Sequence, residues 1–177
     1  IPAAMFMMRS KTLLKSLMGN GLSPAEAFTQ ANAELSTHND ETCMFVTAWM
    51  GVLDLSSGRI EFANAGHNPP LLGKSDGVSY LKSRPDFVLG GMEDTQYEAQ
   101  QLQLLPGEVL FLYTDGLTEA MNAKKELYGQ ERPLSVLNKA LDRNAYEMAM
   151  AMTQDIASYV GKAEPSDDLT MLVLRYL

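Results

Sequence analysis

Five apolar residues in a row, Val109-Leu-Phe-Leu-Tyr113, end abruptly at Thr114-Asp115-Gly116. No other stretch constrains the fold as tightly. A short run of this kind suits a strand covered on both faces, and Pro106-Gly107 just before it is a turn signal. A carboxylate at the end of a buried strand is costly to leave ionised and alone. A hard cation is the commonest compensation, and Gly116 removes side-chain bulk where a ligand, water or substrate would approach. The plainer reading makes Asp115 the cap of a helix beginning near Leu117. On this stretch alone the two readings stand level.

A second carboxylate site separates them. Asp167-Asp168 opens the run Leu169 to Leu174. One strand therefore ends in a carboxylate and another begins with two. If the two strands are antiparallel neighbours, these ends share one edge of the sheet. Three carboxylates would then converge, and like charges that close do not all ionise cheaply without a cation. An Asp-Asp pair by itself is common on solvated turns.

With a third stretch, Phe62-Ala-Asn-Ala-Gly-His-Asn-Pro-Pro-Leu-Leu72, the chain resembles the metal-dependent protein phosphatase (PPM, type 2C-like) family. The closest branch is that of the bacterial stage II sporulation protein E-type phosphatases. Tyr113-Thr-Asp-Gly-Leu-Thr-Glu-Ala120 is similar to the family's aspartate-glycine motif, and Asp167 to Leu174 to its C-terminal motif. The third stretch is similar to the branch's Asn-Ala-Gly-His signature. The three stand in the family's order, and the resemblance covers essentially the whole chain.

The resemblance implies an α+β fold, a layered α-β-β-α sandwich of mainly antiparallel sheets flanked by helices, as one phosphatase-like domain over residues 1–177. It implies hydrolysis of phosphoserine or phosphothreonine in a protein, assisted by two Mn²⁺ or Mg²⁺ ions and without a covalent enzyme intermediate. The implied metal positions are Asp115 with Gly116, and Asp167 and Asp168. Of the last two, Asp167 is the better ligand candidate, and Asp168 supports it or caps backbone. Implied partners are a phosphorylated protein substrate such as an anti-sigma-factor antagonist, and an upstream sensory or receiver domain acting through residues 2–36.

The family carries a further metal-binding aspartate in an N-terminal glycine-rich segment. Ile1-Pro-Ala-Ala-Met-Phe-Met resembles the residues directly downstream of that segment, so the first metal motif and the N-terminal strands are expected upstream. The 177 residues alone are then expected to turn over weakly or not at all. Open sheet edges or the first helix would invite self-association, a homodimer being one form.

A net charge of -8 argues against electrostatic binding of nucleic acid or of an anionic membrane. The single Cys43 rules out an intrachain disulfide and fits a reducing, cytoplasmic compartment. It lies beside apolar residues and reads as a small core residue. No apolar run reaches membrane-spanning length.

The remaining elements are read from periodicity and turn chemistry. Residues 2 to 18 read as a helix with Met5, Met8, Leu13, Leu14 and Leu17 as its stripe. That Met-rich face reads as core packing, with a docking face as the alternative. Ser23-Pro-Ala-Glu26 is a capping box opening a second helix to about Ser36. Cys43 to Leu55 reads as a strand, turned by Ser56-Ser-Gly58 into Arg59 to Asn64, with Trp49 filling the core. Pro69 to Gly73 and Val78 to Lys82 form a hairpin around Lys74-Ser-Asp-Gly77, and Gly90-Gly91 marks a loop or close backbone approach. Tyr97 to Leu104 is expected to pair with Glu108 to Tyr113 across the Leu105-Pro-Gly107 turn. The pattern turns helical after Gly116, then again from Pro133 to about Leu141. Asn144 caps a helix from Ala145 to about Val160.

His67 sits in strong turn chemistry and reads as a structural turn residue rather than a metal ligand. His38 reads as solvated. The rival function is a catalytically inactive phosphatase-like module that binds as a regulatory partner. A purely structural domain explains neither carboxylate site.

Overall fold

The computed structural model describes residues 2–37, 43–164 and 167–177; the expectation for His38 lies outside them. The fold is α+β, with antiparallel sheets and flanking helices. The chain divides into two compact units, Ile1–His67 with Ser83–Gln103, and Asn68–Lys82 with Leu104–Leu177.

The first unit begins with helices α1 (Pro2–Gly19) and α2 (Pro24–Ser36). The α2 capping box forms as expected: the Glu26 N–H donates to the Ser23 hydroxyl and the Ser23 N–H to the Glu26 carboxylate. Strands β1 (Ala48–Leu53) and β2 (Arg59–Ala65) pair antiparallel, and β5 (Gln100–Gln103) adds on the far side of β2. Ala27, Phe28, Ala31 and Leu35 of α2 form one buried cluster with Ala63, Ala65, Leu89 and Tyr97. Phe28 and Tyr97 meet edge to face at 5.6 Å. Within that core Asn32 is satisfied on both ends, donating to the Met92 carbonyl at 2.8 Å and accepting from the Gly90 N–H at 2.8 Å.

The second unit is a four-stranded antiparallel sheet in the order β4 (Gly77–Tyr80), β3 (Leu71–Lys74), β6 (Val109–Tyr113), β7 (Met171–Arg175). Strand β6 is central, as its apolar run requires. Helices α3 (Glu131–Lys139) and α4 (Ala145–Val160) belong to this unit. Met148, Met152 and Ile156 of α4 pack with Phe111, Tyr113, Leu117 and Tyr128. Each large apolar side chain buried there contributes about 1.5–3 kcal/mol. The Asn144–Glu147 capping box of α4 is formed. Arg175 donates to the carbonyls of Gly107, Leu141 and Arg143, tying the end of β7 to the turn after α3.

Several expectations are corrected. Met5 and Met8 point outward, 65% and 66% exposed. The inward face of α1 runs through Phe6, Ser10, Leu13, Leu14 and Leu17, because the Ser10 hydroxyl donates to the Phe6 carbonyl at 2.8 Å and so tolerates burial. The strand expected from Cys43 begins only at Ala48, since Cys43 has a φ of +47° and Val46 bridges to Leu89. Cys43 is exposed, not core. Trp49 is half-buried, stacked on Phe62 at 5.2 Å. Strand β5 pairs with β2, while β6 pairs with β3 and β7, so Leu105-Pro-Gly107 is not a hairpin turn. Alternation told which faces of these strands are apolar, but not which strand each pairs with. After Gly116 a single 3-10 turn, Asp115–Leu117, replaces the expected helix.

Candidate metal centre

The register of β6 and β7 runs from Val109↔Arg175 to Tyr113↔Met171. Continued past the strand ends, it sets Thr114 opposite Thr170 and Gly116 opposite Asp168. The Thr114 N–H donates to the Thr170 carbonyl at 3.0 Å. The Thr170 N–H donates back to the Thr114 hydroxyl at 3.0 Å, so a side chain closes the last rung in place of a backbone carbonyl. The same hydroxyl lies 3.4 Å from the Asp168 carbonyl. The end of one strand and the start of the other therefore share a sheet edge, as the sequence led one to expect.

Asp115 is exposed and opens the 3-10 turn. Its Oδ1 accepts from the Gly116 N–H at 3.0 Å. Its carbonyl accepts from the Glu119 N–H at 2.9 Å and the Thr118 hydroxyl at 3.2 Å. Leu117 is fully buried and anchors the turn. Gly116 serves a different purpose from the one expected. A Cβ built there would lie 2.5 Å from the Asp168 carbonyl oxygen and 3.1 Å from its carbon. The space is taken by the chain itself rather than by a ligand.

Asp167 and Asp168 are both exposed. The Asp167 Oδ1 accepts from the Asp168 N–H at 2.7 Å. Backbone capping, expected of Asp168, thus falls to Asp167, and Asp168 is the residue whose peptide touches the Asp115–Gly116 turn. Beneath the edge, Tyr113 is buried, and burial together with neighbouring Tyr80 pushes its phenol well above the usual range.

The donors on these two segments are carboxylate and carbonyl oxygens, the chemistry that suits Mg²⁺ or Mn²⁺. The number is short. Among the described residues no group of three or more His, Cys, Asp or Glu side chains is gathered closely enough to hold a metal ion. The two segments meet, but the expected convergence of three carboxylates does not occur: Asp115 and Asp167 each turn one oxygen onto the next residue's N–H.

In the other unit, Asn64 is 1% exposed and brackets the Asn-Ala-Gly-His turn. It accepts from the His67 N–H at 2.8 Å and donates to the His67 carbonyl at 3.0 Å. Gly66 takes a φ of +67° between them, which a side chain would strain. The His67 Nδ1 lies 3.1 Å from the Thr47 hydroxyl, in keeping with a turn histidine. Asn64, Thr114 and Thr170 were not singled out from sequence. Counting the register inward from the two apolar runs would have exposed the threonine pair.

Residues 1–177 match the family model described as stage II sporulation protein E. The phosphoserine phosphatase RsbU of Bacillus subtilis is 28% identical over 179 residues, covering 99% of this chain and 52% of RsbU. Protein IcfG of Synechocystis is 29% identical over 143 residues, covering 81% of this chain and 22% of IcfG. The chain thus spans about half or less of these relatives. Among solved structures, the SiaA-PP2C domain of Pseudomonas aeruginosa superposes with a TM-score of 0.83 at 22% identity, covering 99% of this chain and 71% of that one. That likeness fixes the fold as the one seen in PP2C domains. No helix among the described residues is long and apolar enough to cross a membrane.

Proposed function

The chain belongs to the stage II sporulation protein E family, and on that premise we propose that it is the phosphatase domain of a bacterial signalling protein. In this reading residues 1–177 form one domain that hydrolyses phosphoserine or phosphothreonine in a partner protein. The observation that supports it most is the shared edge of β6 and β7, where the Asp115–Gly116 turn lies against the Asp168 peptide.

Asp115, the Gly116 carbonyl, Asp167 and Asp168 would hold Mn²⁺ or Mg²⁺, two ions with the help of further donors. The ions would supply Lewis-acid chemistry, polarising the phosphoryl group and easing deprotonation of the attacking water. The chain's own part is positioning. The Thr114–Thr170 rung fixes the strand ends, Leu117 anchors the turn, and the Gly116–Asp168 contact sets the separation of the carboxylate-bearing segments. A phosphorylated anti-sigma-factor antagonist is the substrate we propose, in the cytoplasm, under control of an attached sensory or receiver domain.

A second reading, a phosphatase-like module that binds without turnover, is favoured by the thin donor set among the described residues. Phosphate release from a phosphoserine peptide, by the protein expressed from its complete gene, separates the two. Turnover that saturates with Mn²⁺ and vanishes with chelator supports the enzyme. Peptide binding without phosphate release at any Mn²⁺ concentration supports the module.

A further inference from the structure

The turn that carries Asp115 runs directly into a small hairpin. The Gly129 N–H donates to the Thr118 carbonyl at 2.9 Å, Tyr128 to Ala120 at 2.8 Å and Asn122 to Glu126 at 3.1 Å. Met121 and Leu127 are bridged antiparallel between them. The tip, Ala123-Lys124-Lys125, is exposed. Asn122 shapes it: Oδ1 accepts from the Lys124 and Glu126 N–H groups at 2.9 and 3.0 Å, and Nδ2 donates to the Glu126 carboxylate at 2.7 Å.

The hairpin is clamped to the helices of its own unit. The Tyr159 hydroxyl reaches the carbonyls of Glu126 and Leu127 at 3.1 and 2.9 Å. The Tyr128 hydroxyl donates to Asp155 at 2.7 Å. Arg132 pairs with Asp155 at 3.2 Å and lies 4.6 Å from the Tyr159 ring centroid. A surface hairpin tied at so many points holds its tip in one place. Among the described residues the ion pairs are Arg84–Glu98 and Arg132–Asp155, so neither tip lysine is matched by a carboxylate of the chain. Met121 and Leu127 flank the tip, 37% and 54% exposed.

We infer that this hairpin docks the substrate by recognising an acidic segment near the phosphoserine, an inference that rests on the phosphatase reading. The charge argument comes first. A phosphorylated partner brings about -1.5 to -2 charges on its phosphate alone. It approaches a chain of net charge -8, whose overall field opposes the encounter. Two fixed lysines beside the Asp115 turn reverse that field locally. Reach gives the second argument. Six residues, Thr118 to Lys124, span at most about 20 Å when extended. A substrate strand leaving the Asp115 turn covers the same distance in about six residues. The acidic residues recognised therefore lie about five or six positions from the phosphoserine.

The test uses the full-length protein and two labelled phosphoserine peptides of equal length. One carries Asp and Glu five and six positions from the phosphoserine, and the other carries Gln there. In fluorescence anisotropy the wild type binds the acidic peptide about tenfold more tightly, and the double variant Lys124→Glu/Lys125→Glu loses the difference. Turnover of p-nitrophenyl phosphate, too small to reach the tip, is unchanged by the double variant. Equal binding of both peptides by the wild type, or an unaltered preference in the variant, overturns the inference. Loss of p-nitrophenyl phosphate turnover in the variant also overturns it, because the hairpin would then act on the reaction centre. A wild type with charge-dependent binding but no turnover counts against the phosphatase reading and leaves the docking role standing.

Discussion

Thr114 and Thr170 exchange two hydrogen bonds across the ends of β6 and β7, one through backbone and one through the Thr114 hydroxyl, each 3.0 Å long. Thr114→Val keeps shape but leaves the Thr170 N–H without its acceptor. A loss of about 1–2 kcal/mol is expected, with weaker Mn²⁺ binding by calorimetry. Thr114→Ser retains the oxygen and restores both. Equal behaviour of Val and Ser would show that the rung does not position the edge.

Gly116→Ala places a Cβ 2.5 Å from the Asp168 carbonyl oxygen. That neighbour is backbone, so one strand end must shift. Overpacking of this kind costs about 1–3 kcal/mol. Urea denaturation gives the stability, and the Mn²⁺ titration of the same variant shows whether the two carboxylate segments have parted.

Asn64→Ala removes a buried side chain that both accepts from and donates to the His67 backbone. Each group left unpaired costs about 1–3 kcal/mol. Asn64→Asp keeps the acceptor and loses the donor, so it is expected to fall between wild type and Ala in thermal denaturation.

Tyr97, Tyr113 and Tyr128 have their phenols pushed above the ordinary value of about 10, in each case first by burial. A raised folded-state pKa stabilises the fold fully below the unfolded value. That stability is lost as pH climbs from about 10 toward the folded value, because the unfolded chain gives up the protons first. Absorbance titration at alkaline pH is expected to show these phenols ionising late and together with loss of ellipticity. Ionisation of every tyrosine near pH 10 with the fold intact would contradict their burial.

Local signals carried most of the elements. The capping boxes at Ser23–Glu26 and Asn144–Glu147 and the Lys74-Ser-Asp-Gly77 turn each act within a few residues, and all three form. Partners distant in the chain were harder to read. Strand β5 carries the same alternation whether it pairs with β2 or β6, and Met5 differs from Phe6 only by what packs against it. The apolar runs ending at Asp115 and opening at Asp167 were enough to bring those segments to one edge. The direction each carboxylate takes was not legible, because it depends on single N–H groups at Gly116 and Asp168.

The proposed phosphatase chemistry stands or falls on Asp115. The direct measurement is phosphate release from a phosphoserine peptide by the full-length protein, titrated with Mn²⁺, for wild type and Asp115→Asn. Circular dichroism on both confirms the fold. The expected result is saturable Mn²⁺-dependent turnover in the wild type and a loss of more than about 100-fold in the variant, with identical spectra. Turnover that persists in chelator, or near-normal Mn²⁺-dependent turnover in Asp115→Asn, would contradict the account.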